Sequence, residues 1–434
     1  MGIDPSIIGL GGICLLLILL FLEMPVGIAL FMVSFLGVSC IAGVPQACHI
    51  IARAIYDASS VHMWCLIPLF VLMGQFAFEA GTGSSLFKGA RTWFGPLPGG
   101  LAMTTAATSA GFAAVCGDNI AGAVTMTSVC LPEMRKNNYD DSLSLASVCA
   151  GGVLSFLIPP SLGFIIFGIL ANVNITSLFM GGVIPGIIIA LLFMVVIYII
   201  CKKNPERGPS TPATTWKEKF LALRYLWSVI VLILIVFGGI YTGIITVVEA
   251  GALGAFAALV IGLATRNIKW AGFKRAVMNT IKTTGMVFLL IAGAWSFAPF
   301  LSLSKIPMVV AGLMSGLHPL MIVVCVLLFF FVGGMVFEAA ILMIITIPIF
   351  LPLWMAAGLD LVWFGVVLMV VVTISGITPP VGLIVYVVSG ITGKSSGPIF
   401  KTATWFIVPA LVCVVLLIIF PQLATFLPSI FHGM

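Results

Sequence analysis

Ser155-Phe156-Leu157-Ile158-Pro159-Pro160 interrupts one long apolar run, and Ser375-Gly376-Ile377-Thr378-Pro379-Pro380 interrupts another 220 residues later. Proline lacks an amide hydrogen and its ring clashes with the preceding turn, so two in succession end one half-helix and start another. The same offset relates Asp118 to Glu338, Pro132 to Pro352 and Asp140 to Asp360. The chain reads as two copies of one unit. In each copy a carboxylate interrupts one apolar stretch and a Pro-Pro break interrupts the next. A lone Pro-Pro in a membrane helix is an ordinary kink. Two in register, each following a matched carboxylate, point instead to a pair of polar sites at bilayer depth, the arrangement by which secondary transporters bind ion and solute.

Composition places the chain in a bilayer. Of its 434 residues 62% are hydrophobic and 7% charged, against about 25% charged in soluble domains, and the mean hydropathy is +1.29. The net charge of +6 does not indicate nucleic acid, because the basic residues fall between apolar runs and serve as topology signals. The first apolar run, from Ile7 to Leu22, follows Asp4 with no Lys or Arg before it. It lacks the basic region of a cleavable signal peptide, and it is expected to persist as a spanning helix. None of the ten cysteines forms a C-x-x-C, which leaves neither a metal motif nor a disulfide scaffold.

Runs of about 20 apolar residues can be walked in order under the positive-inside bias. Spans at 7–22, 25–44 and 63–80 lead to a segment with Lys88 and Arg91, placed in the cytoplasm. The chain then starts outside. Gly95-Pro96-Leu97-Pro98-Gly99-Gly100 opens a stretch reaching Cys116-Gly117-Asp118-Asn119 and returning to Pro132-Glu133-Met134-Arg135-Lys136. Such a polar tip between short arms reads as a re-entrant hairpin over 97–135, entering from the cytoplasm and covered by protein or water. A broken crossing over 139–171 and a span at 176–200 complete the first repeat, residues 1–201. Residues 202–224 carry six of the nineteen basic residues and form a cytoplasmic linker. The second repeat, 225–434, inverts the plan. Spans at 225–243, 245–265 and 283–302 precede a hairpin over 318–356 that enters from outside, and a broken crossing over 361–392 precedes a last helix. A label at Asn137 is expected to react only from the cytoplasm and one at Ser315 only from outside. Both termini fall on the periplasmic side. The fold class is an all-α polytopic membrane protein, an inverted repeat with two re-entrant hairpins and two broken helices.

Half-helices leave orphan carbonyls and amide hydrogens, each costing several kcal/mol if unmet in hydrocarbon. Carbonyls with Ser and Thr hydroxyls make a hard oxygen cage suited to sodium, and half-helix N-termini present positive dipole ends to an anion. Asp118 and Glu338 would be ion ligands or proton carriers, since intramembrane carboxylates carry function by default. The other polar residues have plainer readings. Glu23 and Glu249 are expected to cap helix N-termini, and Arg53 with Asp57 to pair four residues apart on a helix surface. His49, His62, His318 and His432 share no ligand spacing. No G-x-x-x-x-G-K-[ST] occurs, so no nucleotide-driven step is built into the chain. An intramembrane enzyme would need a nucleophile with its base, and a passive channel would not need mirrored half-helix sites.

Over nearly its whole length the chain resembles the large membrane subunit of tripartite ATP-independent periplasmic transporters, the DctM-like M subunit. The resemblance rests on Ile67-Pro68-Leu69-Phe70, Leu97-Pro98-Gly99-Gly100-Leu101, Pro132-Glu133-Met134, Leu157-Ile158-Pro159-Pro160-Ser161, Val248-Glu249-Ala250 and Gly376-Ile377-Thr378-Pro379-Pro380-Val381-Gly382. It implies sodium-coupled uptake of a small organic anion, a carboxylate or sulfonate, by an elevator in the bacterial inner membrane. It implies sodium as the coupling ion, with no organic cofactor and no nucleic acid. Two partners are implied as well, a small four-helix membrane subunit and a soluble periplasmic binding protein. Carried onto this sequence, one sodium site would use Gly117, Asp118 and Asn119 with Ser155, Pro159, Pro160 and Ser161. The other would use Glu338 with Ser375, Gly376, Thr378, Pro379 and Pro380. The first tip departs from the family, which commonly reads Ser-Gly-Ser-Ser where this chain has Cys116-Gly117-Asp118-Asn119. A stand-alone symporter of the same architecture, without a binding protein, is the alternative reading.

Overall fold

The computed structural model describes residues 4–314 and 316–431; Ser315 and His432 lie outside them. The described residues hold α1 (Pro5–Phe21), α2 (Val26–Ala42), α3 (Val44–Ser60), α4 (Leu66–Glu79), α5 (Thr82–Phe94), α6 (Gly100–Cys116), α7 (Asn119–Lys136), α8 (Asp141–Leu157), α9 (Leu162–Ala171) and α10 (Ile175–Lys203). After a short connection come α11 (Trp216–Ala222), α12 (Trp227–Ile233), α13 (Gly239–Tyr241), α14 (Val247–Ala264), α15 (Trp270–Leu303) and α16 (Ile306–Met314). The chain continues through α17 (Pro319–Gly334), α18 (Ala339–Ala356), α19 (Leu361–Ser375), α20 (Leu383–Thr392), α21 (Ser396–Ile419) and α22 (Gln422–Phe431). Eight helical runs among the described residues are long and apolar enough to cross a bilayer.

The two hairpins are α6–α7 and α17–α18, and the two broken helices are α8–α9 and α19–α20. Both breaks fall at the Pro-Pro pairs, whose peptide bonds are cis. The carboxylates of the 220-residue repeat turn out to be one structural device used four times. Asp118 caps α7, Asp140 caps α8, Glu338 caps α18 and Asp360 caps α19, each accepting from backbone N–H groups of the first turn. An acceptor at that position satisfies orphan donors and favours the positive end of the helix dipole.

α1–α4 and α12–α15 form one body. α2 crosses α15 where Gly27 and Gly293 meet, and a Cβ on Gly293 would stand 2.7 Å from the Gly27 carbonyl oxygen. Glycine at such a crossing lets backbones approach in a solvent that offers helices no hydrophobic drive to associate. Ser34 Oγ ties the same pair by donating to the Ser296 carbonyl. The second body gathers hairpins, broken helices, α10, α21 and α22, with α6 packed on α7, α8 and α10, and α17 on α19. α6 is buried almost end to end. Its hydroxyls at Thr104, Thr105 and Ser109 bond carbonyls one turn back, at 2.7, 3.0 and 2.8 Å. Back-bonding of that kind lets polar side chains stand inside a covered re-entrant helix.

Several sequence expectations are amended. Arg53 and Asp57 lie on a helix, α3, as their spacing implies, and the segment around Lys88–Arg91 is a helix too, α5, whose polar content keeps it out of the apolar runs. The Arg53–Asp57 pair itself forms, at 3.3 Å. The stretch between the spans expected at 245–265 and 283–302 is mostly the first turns of α15, a 34-residue helix that begins at Trp270. Glu249 occupies the third position of a capping box whose cap is Thr246. Glu23 is not a cap: it sits at φ 61° after α1, and Pro25 holds the cap position of α2, with no side chain capping it.

The connection at 204–215 is a strap rather than a free linker. The Gly99 N–H donates to Gly208 O at 3.0 Å, the Asp140 N–H to Arg207 O at 3.0 Å and Tyr139 Oη to Pro209 O at 2.8 Å. Burial pushes the Tyr139 hydroxyl up to about 12, so it stays a donor. The Arg207 guanidinium reaches Asp140 at 2.9 Å, Ser142 at 2.8 Å and Thr402 at 3.2 Å, joining the linker to both repeats. Burial raises the Asp140 carboxyl, but bonds from Ser142, Arg207 and the Leu143 N–H outweigh it and hold the group below the usual carboxylate range. A carboxyl lowered on folding stabilises above its unfolded pKa, and that contribution is lost as pH falls through the folded value. Arg207→Ala is therefore expected to lower the melting temperature by about 1–3 °C at neutral pH. The deficit should shrink on acidification, as thermal unfolding across pH would report.

Candidate ion and substrate site

Each hairpin tip is hydrogen-bonded to the break of its own repeat. The Leu162 N–H donates to the Gly117 carbonyl at 3.0 Å, and the Gly382 N–H donates to the Met335 carbonyl at 3.0 Å. The two donors are again 220 residues apart. Gly117 turns the first tip at φ 68°, with the Pro160 carbonyl 2.5 Å from where a Cβ would be. Only glycine combines that left-handed backbone with that approach.

The serines ahead of the breaks anchor the same junctions. Ser155 Oγ donates to Gly151 O at 3.0 Å and lies against Gly122 of α7, where an added Cβ would come within 2.2 Å of it. Ser375 Oγ donates to Val372 O at 2.7 Å and lies against Gly334 of α17 in the same way. Ser161 caps α9, accepting from the Gly163 N–H at 3.1 Å and donating to Phe156 O. Thr378 Oγ1 donates to Ile374 O at 2.9 Å, and Gly376 O accepts from the Ile384 N–H at 3.1 Å. The breaks differ in exposure. Pro159 and Pro160 are buried, whereas Pro379 and Pro380 are exposed, and no side chain caps α20.

The tips also meet each other. The Glu338 carboxylate accepts from the N–H groups of Ala340 and Ile341 at 2.9 and 3.1 Å. It also interacts with the Asn119 side chain and feels the charge on Asp118. Asp118 Oδ1 accepts from the Ala121 N–H at 2.6 Å. Gly152 of α8 lets the Asn119 carbonyl and Ile384 of α20 close in around it. Elements of both repeats thus converge on Asp118, Asn119 and Glu338. Gly117, Ser155, Pro160 and Ser161 belong to one half of this junction, and Ser375, Gly376 and Thr378 to the other.

Asp118 borders a cavity of about 280 Å³ between hairpin 1 and the body formed by α4 and α15. Its other polar walls are Gln75, Thr125, Asn279 and Thr283. Sequence reading passed over these four. Gln75 is a single polar residue inside the apolar run of α4, and Asn279 stood between the spans expected at 245–265 and 283–302. A polar side chain at bilayer depth was the available signal in both.

Known proteins resemble this chain closely. The family model described as "Tripartite ATP-independent periplasmic transporter, DctM component" matches residues 13–423. A C4-dicarboxylate TRAP transporter large permease protein of Pseudomonas aeruginosa is 30% identical, with 89% of this chain and 90% of that protein covered. A sialic acid TRAP transporter large permease protein of Vibrio cholerae is 29% identical over 96% of this chain and 97% of its own. An ectoine TRAP transporter large permease protein of Halomonas elongata is 33% identical, with 83% and 85% covered. Among solved structures, the YdaH transporter of Alcanivorax borkumensis shares the fold, with a TM-score of 0.63 at 12% identity over 88% of this chain and 89% of that one. Match, fold and motifs agree: this chain is a member of the DctM component family of tripartite ATP-independent periplasmic transporters, a multi-pass all-α membrane transport protein.

Proposed function

We propose that this chain carries out sodium-coupled uptake of a small organic acid, a carboxylate or sulfonate, across the bacterial inner membrane with both termini periplasmic. A periplasmic binding protein delivers the solute, and a small four-helix subunit accompanies the chain. The observation that carries this reading is the double junction in which each hairpin tip is bonded to the break of its own repeat and both tips meet at Asp118, Asn119 and Glu338. Backbone carbonyls and the hydroxyls of Ser155, Ser161, Ser375 and Thr378 stand at half-helix ends there, where a hard cation finds oxygen ligands and an anion finds helix dipoles. Hairpins and broken helices move as one body against α1–α4 and α12–α15, and the cavity between the two bodies is the solute's place. Partners, substrate chemistry and sodium coupling are the terms this reading adds to family membership.

The complex in liposomes, given its binding protein and one imposed gradient at a time, tests it. Uptake is expected under an inward sodium gradient and to fall at least about tenfold when sodium is replaced by choline. Equal uptake from a proton gradient without sodium would sink sodium coupling and make Asp118 and Glu338 proton carriers. Uptake unchanged without the binding protein would favour the stand-alone symporter. Ser155→Ala and Ser375→Ala are each expected to shift the half-saturating sodium concentration upward by about threefold or more, the loss of one hydroxyl ligand. Unchanged sodium dependence in both would make those serines junction packing alone.

A further inference from the structure

The cavity beside the first tip has one charged wall and it is negative. Asp118 stands among Gln75, Thr125, Asn279 and Thr283, and no lining residue is Lys, Arg or His. Lys282 is adjacent in sequence, but it is exposed and is not part of the lining. Arg275, one helical region earlier, is held by Glu79 at 2.8 Å. Thr108, one turn before the lining residue Phe112 on the same face of α6, is buried with an unpaired hydroxyl. A carboxylate facing a cavity at bilayer depth calls for a positive partner. The protein's own side chains do not provide one there, and a solute with two negative ends would bring like charges together in low dielectric.

We propose that the transported acid also carries a cationic nitrogen, an ammonium or amidinium, and that Asp118 is the residue that recognises it. The solute is then a zwitterion, its carboxylate at the half-helix N-termini and its nitrogen at Asp118, with the amides of Gln75 and Asn279 flanking it. The proposal rests on the sodium-coupled reading above and narrows its substrate class.

The test uses the purified complex of this chain with its small membrane subunit. Binding is measured by thermal stabilisation in sodium chloride and in choline chloride. The probes are matched in length and differ in charge: γ-aminobutyrate against succinate, β-alanine against malonate, with ectoine as a compact amidinium acid. In sodium, the nitrogen-bearing member of a pair is expected to bind at least about tenfold more tightly than its dianion. Asp118→Asn keeps an acceptor at the cap and should fold, and it is expected to reduce that preference to about twofold or less by weakening the nitrogen-bearing probes far more than the dianions. Asp118→Ser, another competent cap without the charge, should do the same. Tighter binding of a dianion, silence of every nitrogen-bearing probe, or equal weakening of all probes by Asp118→Asn would overturn the proposal. The last result would make Asp118 a servant of the coupling ion. Stabilisation by sodium alone, with no solute present, reads the carrier mechanism separately: its absence would count against sodium coupling rather than against the zwitterion.

Discussion

Gly117→Ala is expected to reduce transport by more than about tenfold, because it strikes a backbone conformation and a tight contact at once. At φ 68° an L-residue is strained by about 1–2 kcal/mol, and the new Cβ would lie 2.5 Å from the Pro160 carbonyl oxygen. Backbone cannot swing aside as a side-chain end can. The first tip would lift from the first break, losing the bond from the Leu162 N–H to the Gly117 carbonyl and spoiling any oxygen cage that depends on both. Uptake by the reconstituted complex and the sodium dependence of its thermal stability would report the change together. Wild-type values in both would mean that the tip does not need to seat against the break.

Glu338 gives the second large effect, and two substitutions separate its two duties. Glu338→Ala removes the acceptor for the Ala340 and Ile341 N–H groups. Losing a cap costs about 0.5–2 kcal/mol even where water can substitute, and several kcal/mol per group where it cannot. A drop in melting temperature and loss of folded protein are expected. Glu338→Gln keeps an acceptor and discards the charge, so it should fold like wild type while uptake falls by more than about tenfold. A fully active Glu338→Gln would reduce Glu338 to a cap.

How legible was this in the sequence? The repeat was visible because proline and carboxylate are rare at bilayer depth, and each has a strong local consequence. Pro159-Pro160 and Pro379-Pro380 ended helices where expected, and the tips fell at Gly117–Asp118 and beside Glu338. What the four offset carboxylates do was also encoded, since an acidic residue ahead of an apolar run is an N-cap signature. A search for ion ligands looked past it. The α5 helix was missed, and α3 showed only in the Arg53–Asp57 spacing, because a surface helix advertises itself by a 3.6-residue period rather than by unbroken apolar length. The strap at 204–215 could not be read at all: backbone bonds such as Gly99 N–H to Gly208 O join residues more than a hundred apart, and no local pattern encodes them. The cavity residues Gln75 and Asn279 belong to the same class, brought beside Asp118 by tertiary packing alone.

The central claim is that two repeats of opposite orientation build one site, so that either can take the other's conformation with inside and outside exchanged. Single cysteines at Asn137, beside the basic pair Arg135-Lys136, and at Leu317, in a stretch without Lys or Arg from 306 to 320, test it directly. The native cysteines that are exposed, Cys14, Cys40, Cys48, Cys65 and Cys325, are replaced first. With an impermeant thiol reagent applied to vesicles of known sidedness, Asn137→Cys should react only from the cytoplasmic face and Leu317→Cys only from the periplasmic face. Reaction of both from the same face would mean parallel repeats, and it would contradict the inverted architecture together with the transport mechanism drawn from it.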